Sequence, residues 1–280
     1  MIATAQLMLI LDSTITKHRP AEHPNRHGRL LVVQSRTANP LMPLSLFRDR
    51  NRAGSYVTML FIGSGMMATF YFLTLYMQLI LGYGPVRTGF AYLPFSVGMG
   101  VAAALSSKLV AHLPARIVAG PGLLVAAAGM LWFATLEPDS SYATHLMPAM
   151  FVTALGLGMC FVPMTLGAVS GVTDQQTGIA SALLNTAQQI GGALGLAILS
   201  TISTSAANDR LPDAARSLYR GLGTNDAALI QRAGTALTHG YTMAFAAAAI
   251  MFLAALAVTA LAINARKQQH AEGIAAVHLG

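Results

Sequence analysis

The chain has 280 residues, 54% of them hydrophobic and only 10% charged, where soluble domains carry about a quarter charged residues. That composition excludes an ordinary water-soluble fold. The net charge of +7 is spread between apolar stretches with no aromatic-interleaved basic face, which argues for anionic lipid headgroups over nucleic acid as its counterpart.

In chain order, residues 1–11 form an apolar run too short to span a bilayer, without the basic start and small-residue cleavage site of a signal peptide. Residues 16–53, rich in His, Arg and Pro, read as a disordered basic cytoplasmic segment. Six stretches without Asp, Glu, Lys or Arg follow, at 53–86, 88–107, 117–136, 140–173, 175–208 and 233–265. A hydrocarbon core of about 30 Å needs about 20 helical residues, so each stretch is long enough to cross. The spacing predicts spans at 54–81, 88–107, 116–136, 146–169, 178–203 and 240–263. Helix is the conformation that satisfies the backbone in lipid, and continuous apolar runs such as 245–258 lack the alternation of a barrel strand. The expected fold class is an all-α, polytopic six-helix membrane domain over 54–263, followed by a cytoplasmic tail at 264–280.

Turns separate the spans: Gly82-Tyr83-Gly84-Pro85, a short linker around Pro114, and a polar loop from Glu137 to Ser141. The longest connection, 204–239, is expected to form a solvated cap with two short helices, one opening near Pro212 and one after Asn225, with Gly221 and Gly223 between them. Twelve of the seventeen Lys and Arg residues fall on the side of the two chain ends. That bias, carried by the N-terminal tail, places both termini in the cytoplasm of a plasma or bacterial inner membrane.

Helical spacing marks several candidate residues. In the fifth span Gly178, Ser181, Asn185, Gln188, Gly192 and Gly195 recur at steps of three and four, so they share a face. Such a face seeks protein rather than lipid. Two readings stand: interhelical packing, with Gly178, Gly192 and Gly195 letting backbones approach, or a cavity-lining stripe in which Asn185 and Gln188 bond a substrate. In the first span Ser64, Tyr71, Thr74 and Gln78 follow similar steps, and Tyr71, Thr74 and Gln78 are candidates either for an apolar cavity with a few orienting groups or for interhelical hydrogen bonding near the membrane edge. Met66, Met67, Met77, Met99, Met159 and Met164 are either an adaptable lining or core filler. Gly156, Cys160, Pro163 and Gly167 make a small-residue face in the fourth span, and Pro163 removes a backbone bond, which marks a packing irregularity or a hinge. His112, His145 and His239 lie at span ends, the usual place of a solvated histidine.

Enzyme classes find little support. An intramembrane serine hydrolase built on Ser64 lacks a recognisable nucleophile motif; no ligand-spaced His, Cys, Asp or Glu cluster and no phosphate loop stands out, and nothing calls for a cofactor. The one cysteine, Cys160, lies inside a span, so disulfide arithmetic says nothing about compartment.

Several segments carry a family resemblance. Pro40-Leu41-Met42-Pro43 through Phe47-Arg48-Asp49-Arg50, the run from Leu75 to Pro85 with Gly89 and Leu93-Pro94 after it, Gly156-Leu157-Gly158 with Val162-Pro163, Gly178-Ile179-Ala180-Ser181 through Asn185-Thr186, and Gly191-Gly192-Ala193-Leu194-Gly195 together resemble the C-terminal half of the fourteen-span drug:proton antiporters, the multidrug-export branch of the major facilitator superfamily. Gln6 to Ile15 resembles the beginning of that family's first span, up to its Asp-x-Thr-Ile signature at Asp12-Ser13-Thr14-Ile15. The expected chain is therefore a first-span remnant at 1–15 joined to the last six spans, as an internal deletion, a rearranged gene or a wrongly assigned start would produce. The resemblance implies efflux of hydrophobic or cationic small molecules in exchange for protons, with Asp12 the candidate proton carrier, since no other carboxylate lies well inside an apolar stretch. The alternative is a non-transporting remnant, a homo-oligomer, or a partner of a full-length transporter or of a missing N-terminal half.

Overall fold

The computed structural model describes residues 49–263. Among these the chain is helical with no strand. Helix α1 (Arg50–Leu75) ends in a π turn (Tyr76–Ile80); α2 (Pro85–Ala91) leads directly into α3 (Leu93–Val110); α4 (Ala115–Phe133) follows; a π turn (Tyr142–Leu146) opens α5 (Met147–Val169); then come α6 (Asp174–Arg210), α7 (Ala214–Thr224) and α8 (Ala227–Ala262). Six segments are long and apolar enough to cross a membrane: Arg50–Ile80, Pro85–Val110, Ala115–Phe133, Tyr142–Val169, Gln176–Arg210 and Ala227–Ala262.

Local chemistry sets the breaks. Asp49 caps α1 by accepting from the Arg52 amide at 2.9 Å, and Asp226 caps α8 by accepting from the Leu229 amide at 3.1 Å. Gly82 and Gly171 turn the chain at φ 67° and 68°, a left-handed conformation that glycine adopts without a Cβ penalty. Asp213 and Asn225, both at φ 52°, bracket α7; short Asx side chains tolerate that region better than most. Pro94 cannot donate to a carbonyl one turn back, which fits the break between α2 and α3 at Tyr92.

Between the fifth and sixth spans the structure departs from the sequence expectation. The 204–239 segment holds one separate short helix, α7, with Gly221 and Gly223 inside it; the helix after Asn225 is the first third of α8. Helices α6 and α8, with 37 and 36 residues, are each about 54 Å long at 1.5 Å per residue. They exceed a 30 Å hydrocarbon core, so their ends project together and α7 rests on α8, with Ala214, Leu218 and Gly221 buried.

Helix α8 packs on α1, α4 and α6, while α5 packs on α3 and α4. A ring cluster ties three helices: Phe245 of α8 lies 5.1 Å from Phe133 of α4 and 6.1 Å from Phe72 of α1, and all three are fully buried. Elsewhere the seams depend on missing side chains. A Cβ on Gly156 of α5 would fall on the Ala126 backbone amide of α4, and one on Gly122 would stand 2.9 Å from the Gly156 carbonyl oxygen. Without a hydrophobic force between helices in lipid, such close approach is what gives van der Waals contact its reach.

Pro163 sits inside α5 without ending it. A proline at this position leaves the carbonyl one turn earlier, on Met159, without its helical donor. Ser106 of α3 fills the vacancy, its hydroxyl donating to the Met159 oxygen at 3.0 Å. Gly158 lets α3 come this near, since a Cβ there would stand 2.7 Å from the Met99 carbonyl.

Two outcomes follow from these seams. Gly156→Leu lowers the thermal midpoint of the purified protein, overpacking costing about 1–3 kcal/mol, whereas Gly100→Leu, where a Cβ meets open space, does not. Ser106→Ala orphans the Met159 carbonyl and costs about 1 kcal/mol, while Ser106→Ala combined with Pro163→Ala, which restores the helical donor, recovers most of that loss in the same melt.

Candidate functional site

Helices α1 and α6 cross with almost nothing between them. A Cβ on Gly63 would fall on the carbonyl oxygen of Gln188, one on Gly191 on the carbonyl oxygen of Leu60, and one on Gly195 on the Ser64 side chain. Gly192 adds a looser contact, its Cβ position 2.8 Å from Met67 Cγ. The Ser64 hydroxyl, 2% exposed, bridges the two backbones: it lies 2.7 Å from the Gly191 carbonyl oxygen and 3.0 Å from that of Leu60 in its own helix. Its hydrogen is committed to main-chain acceptors. Gly192 and Gly195, expected to pack, sit in this crossing; Gly63 and Gly191, the tightest points of it, are the partners that spacing arithmetic passed over. The Gly63-Ser64-Gly65 and Gly191-Gly192 clusters were the available signal.

The other end of the stripe behaves differently. Gly178 is exposed and a Cβ there meets nothing within 4 Å. As a packing position within the described helices, Gly178 is corrected. Asn185 is also exposed. Gln188 is half-buried, its Nε2 3.8 Å from Met66 Sδ, and with Gly63, Met66, Met67, Phe70 and Gln189 it lines a cleft of about 180 Å³.

The first-span candidates part ways. Thr74 hydrogen-bonds the Tyr92 hydroxyl at 2.8 Å, and that hydroxyl also donates to the Phe70 carbonyl at 3.1 Å, fastening α1 to the α2–α3 break. Gln78 lies half-buried in the π turn. Tyr71, 44% exposed, faces a separate cavity of about 480 Å³ under α7. The five cavity candidates do not meet in one cavity among the described residues. Of the methionines, Met66 and Met67 border the small cleft, while Met77 and Met164 are fully buried core. The Cys160 thiol faces the Ala119 carbonyl at 3.4 Å, and His145 pairs with Thr135 at 3.0 Å beside the Trp132 ring. No group of three or more His, Cys, Asp or Glu is placed to hold a metal among the described residues. Asp12 lies outside the described residues.

Exposure sorts the remaining surface by chemistry. Past Arg116 the exposed row on α4 is Ile117, Pro121, Leu124, Ala128 and Leu131, and from Met243 onward that on α8 is Met243, Ile250, Leu253, Ala257 and Leu261. Both rows are wholly apolar, as lipid-facing surface must be. On α6 one flank, Ile190, Leu194 and Ile198, matches them, but the neighbouring flank carries Gly178, Ala182, Asn185, Thr186, Gln189 and Ala193. Amides left against hydrocarbon go unsatisfied, so this small and polar flank calls for protein or water.

Substitutions separate the two ends of α6. Gly191→Leu and Gly192→Leu lower the thermal midpoint in detergent or reduce membrane accumulation, whereas Asn185→Leu and Ile198→Leu, both on exposed positions, leave them unchanged.

The model described as Major Facilitator Superfamily matches residues 1–196. The puromycin resistance protein pur8 of Streptomyces alboniger is 38% identical over 240 residues, 85% of this chain and 45% of that protein. An uncharacterized MFS-type transporter, EfpA, of Mycobacterium tuberculosis is 35% identical over 219 residues, covering 75% of this chain and 38% of its own length. The cephamycin export protein CmcT of Amycolatopsis lactamdurans is 34% identical over 177 residues, 62% of this chain and 36% of its own. The chain spans less than half the length of each of these relatives.

Proposed function

The chain belongs to the Major Facilitator Superfamily, and on that premise we propose that its six-helix domain forms one wall of a transport pathway for small organic molecules, in the manner of the fourteen-span drug:proton antiporters. The polar flank of α6 carries this reading. Superfamily transporters hold substrate between two six-helix halves and rock one against the other; a half built for that task needs apolar rows toward lipid and one small, polar face toward its counterpart. Helices α4 and α8 present the former and the Asn185–Gln189 flank of α6 the latter. Relatives named for puromycin resistance and cephamycin export support small-molecule efflux as the cargo class.

In this reading Asn185 and Gln188 orient substrate near the mid-membrane, Tyr71 and Gln78 bound its path toward the α7 end, and Pro163 marks a hinge in α5. Proton coupling depends on carboxylates outside this six-helix unit, with Asp12 the candidate within the chain. The second wall is an N-terminal six-helix half of the family type, or a second copy of this chain. Both chain ends face the cytoplasm and α7 faces the outside of the cell membrane; reporter fusions at Gly280 and near Gly223 test this, and an extracytoplasmic C-terminus contradicts it.

Liposomes under an imposed pH gradient, loaded with a fluorescent hydrophobic cation, test the transport claim. The chain alone gives no gradient-driven flux; together with the N-terminal half of the pur8 relative it does, and Asn185→Leu reduces that flux about tenfold, the scale of one lost hydrogen bond to a bound ligand. Robust flux from the chain alone, unchanged by Asp12→Asn, contradicts the assignment of proton coupling to carboxylates outside this six-helix unit, and two folded, associated halves without flux contradict the transport role.

A further inference from the structure

The cavity under α7 is built differently from the polar flank of α6, and four helices of this chain line it. It measures about 480 Å³, inside the range of small-molecule sites. Its floor is apolar, made by Phe72 and Leu75 of α1 and Leu237 of α8. Its α6 side is polar, with Ser200, Ser203, Thr204 and Asn208 within two turns of one helix. Helix α7 forms the roof.

Three tyrosines from three helices converge there. Tyr241 of α8 is 4% exposed and packs 6.0 Å from the Phe72 ring. Tyr71 of α1 and Tyr219 of α7 line the same cavity. The Tyr76 and Tyr142 hydroxyls are spent on the carbonyls of Glu137 and Ala91. That of Tyr241 forms no hydrogen bond with protein among the described residues. A buried phenol usually finds a partner, so its hydroxyl is available to something held in the cavity.

Charge narrows the class of that ligand. Asp213 and Arg216 both line the mouth, but the Arg216 guanidinium lies 3.1 Å from the Asp213 carboxylate. Paired, they present no net field that would select a cation or an anion. What remains is an apolar floor, aromatic walls and a hydrogen-bonding edge. We propose that the cavity between α1, α6, α7 and α8 is a binding site for an uncharged aromatic amphiphile, with its ring system against Phe72 and the tyrosines and its polar edge toward Ser203, Asn208 and the Tyr241 hydroxyl.

Dansylamide, an uncharged aromatic sulfonamide whose emission rises in apolar surroundings, serves as the probe, with the full chain in phosphatidylcholine nanodiscs. A saturable signal above that of empty nanodiscs is expected. Tyr219→Ala weakens it about fivefold, the scale of one aromatic contact, Tyr219→Phe retains it, and Ala215→Trp, which fills the mouth, abolishes it. Tyr219 is 61% exposed and Ala215 is exposed as well, so unchanged thermal midpoints separate loss of binding from loss of fold; if Tyr219→Ala does shift the melt, Tyr241→Phe, which keeps the ring and removes only the hydroxyl, takes its place and weakens the probe. A signal no larger than that of empty nanodiscs, or one untouched by Ala215→Trp, overturns the site. Neither result depends on transport.

Discussion

Backbones that touch with no side chain between them hold this domain together. Hydrocarbon offers helices no hydrophobic reason to associate, so attraction comes from packing and from polar groups that find each other. At the α1–α6 crossing Gly63, Gly191 and Gly195 carry no Cβ where one would strike the opposite helix, and Ser64 uses the resulting proximity to reach the Gly191 carbonyl. The α4–α5 seam repeats the device at Gly122 and Gly156, and the α3–α5 seam repeats it at Gly158, where Ser106 answers the carbonyl that Pro163 frees. Small residues set the distance and hydroxyls fix the register.

That arrangement decides which surfaces are left over. Because α6 spends its glycine face on α1, its remaining circumference divides into an apolar flank fit for lipid and a polar flank fit for something else. Helices α4 and α8 bury their small residues inward and leave continuous apolar rows outside. The asymmetry of the domain, apolar on two helices and polar on one flank, thus comes from how each helix spends its glycines. Toward α7 the ends of α6 and α8 stay in contact, a Cβ on Gly240 falling on the Ser203 carbonyl oxygen, and together with α1 and α7 they frame the cavity that Tyr71, Tyr219 and Tyr241 line.

Much of the architecture was legible in charge-free runs, because desolvating an ionised group in lipid costs too much for a span to carry many. The fifth-span stripe was legible too, but only as a face. Periodicity places Gly178 and Gly195 together, yet only Gly195 meets a neighbour, since two straight helices that cross at an angle touch over a few turns and diverge elsewhere. Gly63 escaped the spacing argument because its partner, Gln188, contributes a backbone oxygen, and a carbonyl leaves no mark on residue type. The joined α8 was missed for a related reason: Asn225 and Asp226 look like the start of a short cap helix, and nothing after them says that the same helix continues into the membrane.

The account stands or falls on the closeness of α1 and α6. At Met67 and Gly192 the native Met67 Cβ lies 3.8 Å from where a Gly192 Cβ would stand, the usual Cβ separation across a disulfide. Met67→Cys with Gly192→Cys in a Cys160→Ala background, carrying a protease site in the loop at Asp139, gives a direct reading: oxidation in the membrane followed by cleavage leaves the two fragments joined on a non-reducing gel. Rapid, near-complete joining, with none for a Tyr71→Cys and Gly178→Cys control pair, is the predicted result. Fragments that separate freely in the Met67–Gly192 variant while the protein remains folded would contradict the close crossing and, with it, the origin assigned to the polar flank.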